Sequence, residues 1–481
     1  MTLSKCDDIT FVKKVCILVI IAFAVFGTAF YILGGDSLFY KKSNHSIEMV
    51  EGNSGSIELL KGDLIEQHFT NETDIIRGVD VQWGTYLREN SGTISVELID
   101  DASGVIIASN KYDAAKIEEG ETTTLSIKDG EEYRNHKMTL RLSSNSARDN
   151  AVTPLIANGT IIDNEPLYIN DKEQNATLCF STDGETKLLF GEYYWYGFAL
   201  ILIGLSLFSY KLVYDLRKQK RNYVAISILN LKKYNFLIKQ LVSRDFKTKY
   251  TRSVLGVMWS FLNPLLMMVV QYFVFSTIFK SEIPNFAAYL LIGIVEFNFF
   301  SEAVNMTMMS VLQNSNLIKK VYIPKYIYPF TRTISSAINL AIALIPLSIV
   351  CAITGVRLER STLLALYFVC CLILFCLGLG MLLSASMVFF RDTQFLWSVL
   401  SMIWMYATPI FYPESIIPEQ FVFVIKLNPL YQFMKSSRMC IIDGVSPEPI
   451  AYFVALLWSV GMMVVGSLVF KKSQDKFVLY L

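Results

Sequence analysis

Long apolar runs along the chain predict where it crosses a membrane. Residues 15–34 form an uncharged run of 20 residues, which at about 1.5 Å per residue spans a hydrocarbon core about 30 Å thick. A second run, 193–214, opens with aromatic residues typical of the membrane interface. Six further spans follow at roughly 256–279, 287–312, 330–354, 362–390, 395–412 and 449–470. The pattern predicts an α-helical polytopic membrane protein with about eight transmembrane helices.

Residues 35–192 have a different pattern, in which short alternating runs are separated by turn residues. Four such runs are Thr93–Leu98, Gly104–Ser109, Thr123–Ile127 and Lys137–Leu142, and the sequences NSG, DASG and KDGEE are typical of turns. We therefore expect an extracytoplasmic β-sandwich domain between the first two spans. Its role is open between a spacer or dimer contact and the binding of a ligand.

Two segments have patterns that differ from that of a spanning helix. Over 231–242, apolar residues recur at i, i+3, i+4 and i+7 with lysines on the other side, which predicts an amphipathic helix at the membrane interface. Over 413–448, the spacing of the prolines argues against a plain helix and is compatible with a re-entrant outer element.

Composition and charge agree with a membrane protein and indicate its orientation. Hydrophobic residues make up 53% of the chain and the formal net charge is +1, but residues 35–192 carry 28 Asp and Glu against 14 Lys and Arg, a local net charge near −14. The basic clusters flank the spans. One topology, with both termini cytoplasmic, places all these clusters inside and the acidic domain outside. The charge pattern does not indicate nucleic-acid binding.

The sequence contains no pattern that indicates catalysis or a metal. It lacks a GxxxxGK[ST] phosphate loop, a GxSxG elbow, an HExxH pair and a CxxC pair, so it cannot hydrolyse nucleotide by the P-loop mechanism. The eight cysteines imply no disulfide framework. We expect a chain that is not an enzyme and binds no cofactor.

Polar residues at membrane depth form the first candidate site. Asn298, Glu302 and Asn305 recur at i, i+4 and i+7, which places them on one helix face. A carboxylate at the bilayer centre costs about 2.5–3.5 kcal/mol, so this face should meet protein or water. It is either the lining of a translocation path or a place where Glu302 pairs within the bundle. Glu296 lies on another face and has no predicted role.

Aromatic residues in the spans are further candidates for such a lining. Aromatic faces stack on the C–H faces of sugar rings without requiring one orientation, which suits a sliding polymer. Interface anchoring and core packing are the alternative and explain most of these residues. Those selected as lining candidates are Tyr272, Phe299, Trp404 and Tyr406.

Four sequence stretches resemble one family of membrane proteins. They are RDFKTKYTRSVLGVMWSFLNPLL, FFSEAVNMTMMSVLQNSNLIKKVYIPKYIYP, FFRDTQFLWSVLSMIWMYATPIFYP and LNPLYQFMKSSR, which occur in this order within 231–481. This part of the chain resembles the permease subunits of ABC-2-type exporters of bacterial polysaccharide, which include O-antigen and teichoic acid permeases. The resemblance implies a homodimer with a polymer channel and two copies of a separate ABC ATPase subunit, which holds ATP and Mg²⁺.

The resemblance also implies roles for particular residues. The segment 231–242 would be the interface helix, and 314–325 the coupling helix that docks the ATPase. The implied coupling residues are Asn314, Leu317, Lys319, Lys320, Tyr322 and Pro324, with Arg391 and Asp392 at a second cytoplasmic contact. A lipid-linked glycan would bring its pyrophosphate to cations at the entrance, for which the candidates are Arg244, Lys247, Lys249 and Arg252. The alternative is that these cations only mark the cytoplasmic side of the membrane, where they contact membrane lipid and no substrate.

The chain departs from the family pattern at its beginning, because about 230 residues precede the matching part. We expect a cytoplasmic N-terminus and first span over 1–34, the outer domain over 35–192, a second span and basic linker over 193–230, and the permease core over 231–481. The stretches GDLIEQHFTN and GVDVQWGTYLRENSGTISVELIDDASGVIIAS resemble extracytoplasmic sandwich domains of bacterial surface-glycan membrane proteins, which favours carbohydrate binding by the outer domain. Alternative functions are export of a small lipid or drug, and a glycan-binding membrane sensor that transports nothing.

Overall fold

The computed structural model describes residues 2–45, 54–55, 57–128, 131–159, 165–218, 220, 222–251, 253–278, 283, 285–357 and 359–481. The chain divides into two compact units. One comprises Met1–Ser37 with Tyr193–Leu481 and is helical, and the other comprises Leu38–Glu192 and is built of strands. The prediction of a polytopic helical membrane protein with an inserted β domain is confirmed.

The helices of the first unit are numbered in chain order. Their bounds are α1 Thr2–Gly34, α2 Leu189–Arg217, α3 Tyr223–Lys233, α4 Asn235–Tyr250, α5 Met258–Phe273, α6 Phe286–Met308, α7 Ser310–Gln313, α8 Ser315–Lys320, α9 Ile327–Ile353, α10 Ala365–Phe389, α11 Thr393–Tyr406, α12 Glu419–Lys426, α13 Pro429–Arg438, α14 Pro449–Ser473 and α15 Phe477–Tyr480. The predicted amphipathic segment 231–242 falls across α3 and α4, which meet at Tyr234.

Seven helical segments in the described part of the chain are long and apolar enough to cross a membrane. They are Asp7–Leu38, Leu189–Arg217, Met258–Ser276, Phe286–Met308, Ile327–Ile353, Arg360–Phe389 and Pro449–Tyr480. The span expected at 395–412 is not among them, because α11 has 14 residues and is therefore about 21 Å long. That length is shorter than the hydrocarbon core. The expected number of spans is corrected from about eight to seven.

The two N-terminal spans pack on one another along the second half of α1 and the first half of α2. The hydroxyl of Tyr194 in α2 donates a hydrogen bond of 2.6 Å to the carbonyl of Gly27 in α1, and the rings of Phe23 and Phe198 stack with centroids 5.2 Å apart. Such a polar contact between apolar helices is stable in lipid because water does not compete for it. The first and second spans therefore form a helical hairpin.

The helices α6 and α10 form the centre of the helical unit, and α10 packs closely on α14. A Cβ atom on Gly466 would lie 2.0 Å from the carbonyl oxygen of Gly378, so the backbones touch at this crossing. Only glycine permits so close an approach, as at other small-residue helix crossings in membranes. These two glycines determine the distance between the last two spans.

The segment after α11 is a packed series of short elements. A 3₁₀ turn at Glu414–Ile416 is followed by α12, α13 and a π-helical turn at Met439–Asp443. The side chain of Asn428 accepts a hydrogen bond of 3.0 Å from the backbone N–H of Leu430 and so caps α13. The structure agrees with the expectation that 413–448 is not a plain helix, and its re-entrant character stays a prediction.

Arg438 at the end of α13 holds this segment to the start of α6. Its guanidinium donates to the carbonyls of Pro409 at 2.7 Å, Ile410 at 3.0 Å and Tyr289 at 3.2 Å. It also lies over the ring of Tyr289, 3.4 Å from the centroid. A buried cation is tolerated here because carbonyl dipoles and an aromatic face surround it.

The second unit contains two antiparallel sheets. The strands are β1 Tyr40–His45, β2 Ser54–Gly55, β3 Leu64–Thr70, β4 Ile75–Gly84, β5 Thr93–Asp100, β6 Ile106–Asp113, β7 Thr122–Ser126, β8 Lys137–Ser144, β9 Thr153–Asn158, β10 Leu167–Ile169, β11 Lys172–Gln174, β12 Ala176–Leu178 and β13 Phe180–Lys187. One sheet has the order β1-β13-β4-β9-β12, with β2 on β9 and β7 on β4, and the other has the order β11-β10-β3-β8-β5-β6.

The inner sides of both sheets supply one apolar core. Strand β3 alternates between half-buried and buried residues, and its buried Ile65 and Phe69 join Trp83 and Phe180 of the facing sheet. This alternation is what a sheet with one solvated side requires. The four strand predictions correspond to β5, β6, β7 and β8 and are confirmed.

Candidate functional site

A polar cavity of about 260 Å³ lies among α4, α5, α6 and α9 at the depth of the spans. Asn298, Phe299 and Glu302 of α6 are in its wall. The opposite wall includes Asn339 of α9, and α4 and α5 contribute the polar residues Lys249, Tyr250, Ser260 and Asn263. Amide, hydroxyl and charged groups from four helices therefore converge on one space.

Both carboxylate oxygens of Glu302 have partners. Lys249 Nζ lies 2.8 Å from Oε2, and Asn339 Nδ2 donates to Oε1 at 2.6 Å. A paired and hydrogen-bonded carboxylate at membrane depth avoids most of the cost of a lone one. The structure shows that Glu302 pairs within the bundle and that it lines the cavity. Its role in lining a translocation path stays a prediction.

The hydrogen-bond network continues to the end of α4. The hydroxyl of Tyr250 donates to Asn339 Oδ1 at 3.1 Å and contacts the hydroxyl of Ser260. A single chain of polar contacts thus connects α4, α5, α6 and α9. The network orients the amide of Asn339, with its nitrogen toward Glu302 and its oxygen toward Tyr250.

A second cavity of about 540 Å³ adjoins the first and has Lys249 and Glu302 in its wall as well. Its other charged residues are Arg244, Asp245 and Arg332. Three cations and two carboxylates therefore surround this space, which gives it a net positive charge. We call the two cavities together the cleft, and the Lys249–Glu302 ion pair lies where they meet.

Asp245 organises the cations of the second cavity. Its side chain is 3% exposed, and its Oδ1 lies 3.1 Å from a guanidinium nitrogen of Arg244 and 3.1 Å from one of Arg332. Its Oδ2 is buried and has no hydrogen-bond partner within the described residues. The two arginines continue the network, since Arg332 donates to Gln313 at 2.9 Å and Arg244 to Asn314 at 3.2 Å. The interfacial helix α4 is thereby tied to α9 and to the start of α8.

The predicted entrance cations have different surroundings. Arg244 and Lys249 line the cleft, whereas Lys247 is exposed and lines neither cavity. Arg252 lies outside the described residues. The structure adds Arg332, for which the sequence predicted no role. Its role follows from the contact with Asp245, a residue far away in sequence.

Two of the predicted lining residues on the first half of the core are outside the cleft. Asn305 is exposed and donates to Ser301 Oγ at 3.4 Å. The ring of Tyr272 is 43% exposed and packs 5.9 Å from that of Phe286. Neither residue is in the wall of the two cavities.

The two lining candidates on α11 are also elsewhere. Trp404 donates to Asn428 Oδ1 at 2.7 Å and packs on Phe300 with centroids 5.3 Å apart, so it belongs to the core around α13. Tyr406 is 63% exposed. Their role in lining a path stays a prediction.

The predicted coupling region contains a short helix and an exposed turn. Helix α8 covers Ser315–Lys320 and is followed by an extended segment, so the expected helix over 314–325 is shorter than predicted. Asn314 is buried and donates to the carbonyl of Ser310 at 2.7 Å. Leu317 and Pro324 are partly buried, whereas Lys319, Lys320, Tyr322, Arg391 and Asp392 are exposed.

Comparisons with known proteins cover the part of the chain that holds the cleft. The profile of the family described as ABC-2 type transporter matches residues 236–442. The O-antigen export system permease protein RfbA of Myxococcus xanthus is 30% identical over 259 residues, which are 52% of this chain and 97% of that protein. RfbA of Klebsiella pneumoniae is 28% identical over 253 residues, 51% of this chain and 96% of that protein.

A more distant relative is the polysialic acid transport protein KpsM of Escherichia coli. It is 20% identical over 241 residues, which are 50% of this chain and 93% of that protein. Each of these relatives is therefore matched over nearly its whole length, and each match covers about half of the present chain.

Proposed function

Since the chain belongs to the ABC-2 type transporter family and is similar to polysaccharide export permeases, we propose that it moves a lipid-linked surface polysaccharide or a teichoic-acid-like polymer across the bacterial cytoplasmic membrane. In this proposal two copies form the transporter, with both termini of each copy in the cytoplasm. Two copies of a separate ATPase subunit bind and hydrolyse MgATP, and the outer sandwich contacts the exported glycan.

The observation that carries the proposal is the cleft with its ion pair. Its positive part, with Arg244, Lys249 and Arg332, suits the pyrophosphate of a lipid-linked polymer, because charge-assisted hydrogen bonds to phosphate are strong and arginine binds it in a bidentate manner. The part nearer the membrane centre offers the amides of Asn298 and Asn339, which can both donate to and accept from sugar hydroxyls.

The ion pairs of the cleft suggest how a headgroup is admitted. Lys249 is paired with Glu302, and Arg244 and Arg332 with Asp245. A pyrophosphate carries more negative charge than either carboxylate, so it competes for these cations and releases Glu302 from Lys249. The arginines also contact Gln313 and Asn314 next to α8, so occupation of the cleft is transmitted toward the proposed ATPase contact.

The proposal is tested by reversing charges inside and outside the cleft. A strain that lacks the gene for this chain is complemented with Arg244→Glu combined with Lys249→Glu, and with Lys247→Glu as the matched control, since Lys247 is exposed and lines neither cavity. We expect the first variant to lose surface polymer and accumulate the lipid-linked precursor, while the control exports normally. Both should co-purify with the ATPase subunit.

Each other outcome identifies a different error. Normal polymer export by the charge-reversed variant would refute the role of the cleft. If the variant keeps its surface polymer but loses the export of an unrelated lipid or the resistance to a drug, a small-molecule exporter is favoured. Failure of the wild-type chain to co-purify with any ATPase would favour a sensor.

A further inference from the structure

The outer side of the six-stranded sheet carries an ordered row of polar residues. The strand register places Tyr168 of β10 opposite Glu66 of β3, Glu66 opposite Arg141 of β8, and Arg141 opposite Glu97 of β5. His68 and Thr139 are opposite one another in the next row. Because side chains alternate along a strand, these residues share the side away from the core.

These side chains are held in place by one another. Arg141 Nε donates to Glu66 Oε1 at 2.8 Å, and the Thr139 hydroxyl lies 2.6 Å from His68 Nδ1 and donates to Asp101 Oδ1 at 2.6 Å. The Tyr168 ring meets that of His68 edge to face, with centroids 5.6 Å apart. Groups fixed before binding lose little entropy when a ligand arrives.

We call this surface the platform and define it by six residues that are fixed in this way. They are Glu66, His68, Asp101, Thr139, Arg141 and Tyr168. The platform extends from β10 across β3 and β8 to the end of β5, which is a width of about 14 Å at a strand spacing of about 4.8 Å. It is thus wide enough for a short run of sugar rings.

The chemistry of the platform matches that of an uncharged glycan. A sugar offers hydroxyls that both donate and accept, and a C–H face that packs on an aromatic ring. The platform provides carboxylate acceptors, an arginine donor and the half-exposed ring of Tyr168. Within the platform, the negative charges of Glu66 and Asp101 exceed the positive charge of Arg141. The surrounding segment 35–192 has a net charge near −14, from 28 acidic and 14 basic residues. A polyanion would be repelled from such a surface.

We propose that the platform binds a neutral or amino-sugar polysaccharide, and that this is the polymer the chain exports. The inference rests on the proposed function, which it narrows by excluding polyanionic cargo such as teichoic acid or polysialic acid. It also assigns a purpose to the inserted domain, which binds the polymer on the outer side of the membrane.

The experiment uses the full-length chain purified in detergent and applied to immobilised polymers. The array carries neutral galactan, mannan and glucan, together with polysialic acid and polyglycerol phosphate. We expect binding to at least one neutral polymer and none to the two polyanions. Combining Tyr168→Ala with His68→Ala should weaken the apparent affinity at least about tenfold, as expected when a central aromatic contact is removed.

Control variants separate loss of contact from loss of folding. Thr122→Ala with Ser126→Ala changes exposed residues on the other sheet and should bind as the wild type does. Tyr168→Phe keeps the ring and should retain most of the affinity. Arg141→Met removes the side-chain donor and provides a second test if the double alanine variant has a lowered melting temperature.

Three results would overturn the inference: no binding to any polymer, binding to the polyanions alone, or neutral-glycan binding that survives the platform substitutions. None of these concerns the cleft, so the proposal that the chain exports a polymer would still stand, without the contact between the sandwich and the glycan. Conversely, normal export by the variant that combines Arg244→Glu with Lys249→Glu would refute the role of the cleft in export. It would leave the result of the polymer array unaffected.

Discussion

Replacing Asp245 with asparagine should destabilise the helical unit by an amount that the structure allows us to estimate. The substitution keeps the shape of the side chain and removes a charge shared by two arginines. Arg332 is 13% exposed and would be left as a nearly buried, uncompensated cation, which costs about 3–5 kcal/mol. Arg244 is 49% exposed, so water replaces its partner and its share is below about 1 kcal/mol.

A double-mutant cycle measures this interaction. Asp245→Asn, Arg332→Met and the combination are compared by equilibrium unfolding in detergent micelles titrated with sodium dodecyl sulfate. We expect Asp245→Asn to lose several kcal/mol in the free energy of unfolding, because it leaves the nearly buried Arg332 unpaired, and Arg332→Met to lose less, because Asp245 keeps Arg244 as its partner. The combination should lose clearly less than the sum, since no buried charge is then left without a partner.

The same variants have a functional readout. On the proposed function, Asp245→Asn should retain basal ATP hydrolysis with the partner subunit and lose its stimulation by lipid-linked polymer, because the arginines are no longer held between the cleft and α8. Asp7→Asn, a change of the same type at an exposed residue with no proposed role, is the control. Losses that add within about 0.5 kcal/mol in the cycle would refute the reasoning, because independent sites behave in that way.

Two further predictions concern packing and pH. Gly466→Ala should keep α10 and α14 from packing closely and should lower the yield of folded protein. Gly461→Ala lies in the same helix and has no atom within 4 Å of its added Cβ, so it should be tolerated. Equal yields of the two variants would contradict the argument that glycine is required at the crossing. In the unit built of strands, hydrogen bonds from the Thr85 side chain and backbone hold the pKa of Glu119 below its ordinary value of 4.5. A lowered pKa stabilises the fold above pH 4.5 and ceases to do so as pH falls through the lowered value. Glu119→Gln should therefore speed hydrogen exchange of the adjacent strands at pH 7 and have little effect near pH 3, and an effect that grows in acid would contradict the assignment.

Periodic features of the fold could be predicted from the sequence. Uncharged runs located the spans, and alternation located strands β5 to β8, because both patterns depend on neighbouring residues. The exception was 395–412, whose composition is that of a span. Its helix ends at Tyr406, since Thr408 and Trp404 bond to Asn428 and the chain turns toward α13. Hydropathy does not report such a contact.

The candidate site was only partly predictable for a related reason. Helical spacing identified Asn298 and Glu302 as one face, and both line the cleft. Asn339, Asp245 and Arg332 were missed because their significance lies in contacts between residues distant in sequence. The position of Arg332 could have indicated its role. It lies within the first turns of a span, where a buried cation is stable only if a carboxylate lies close to it.

The Lys249–Glu302 ion pair also has a consequence for the direction in which a polymer threads. An uncharged sugar offers neither Lys249 nor Glu302 an ionic partner. The middle of a polysaccharide therefore cannot separate the two residues at low cost. A charged terminus can, because it replaces the carboxylate as the partner of Lys249. On the proposed function, the pair therefore distinguishes the end of a molecule from its interior. Export would begin only at the lipid-bearing terminus, and loops of finished glycan would be refused.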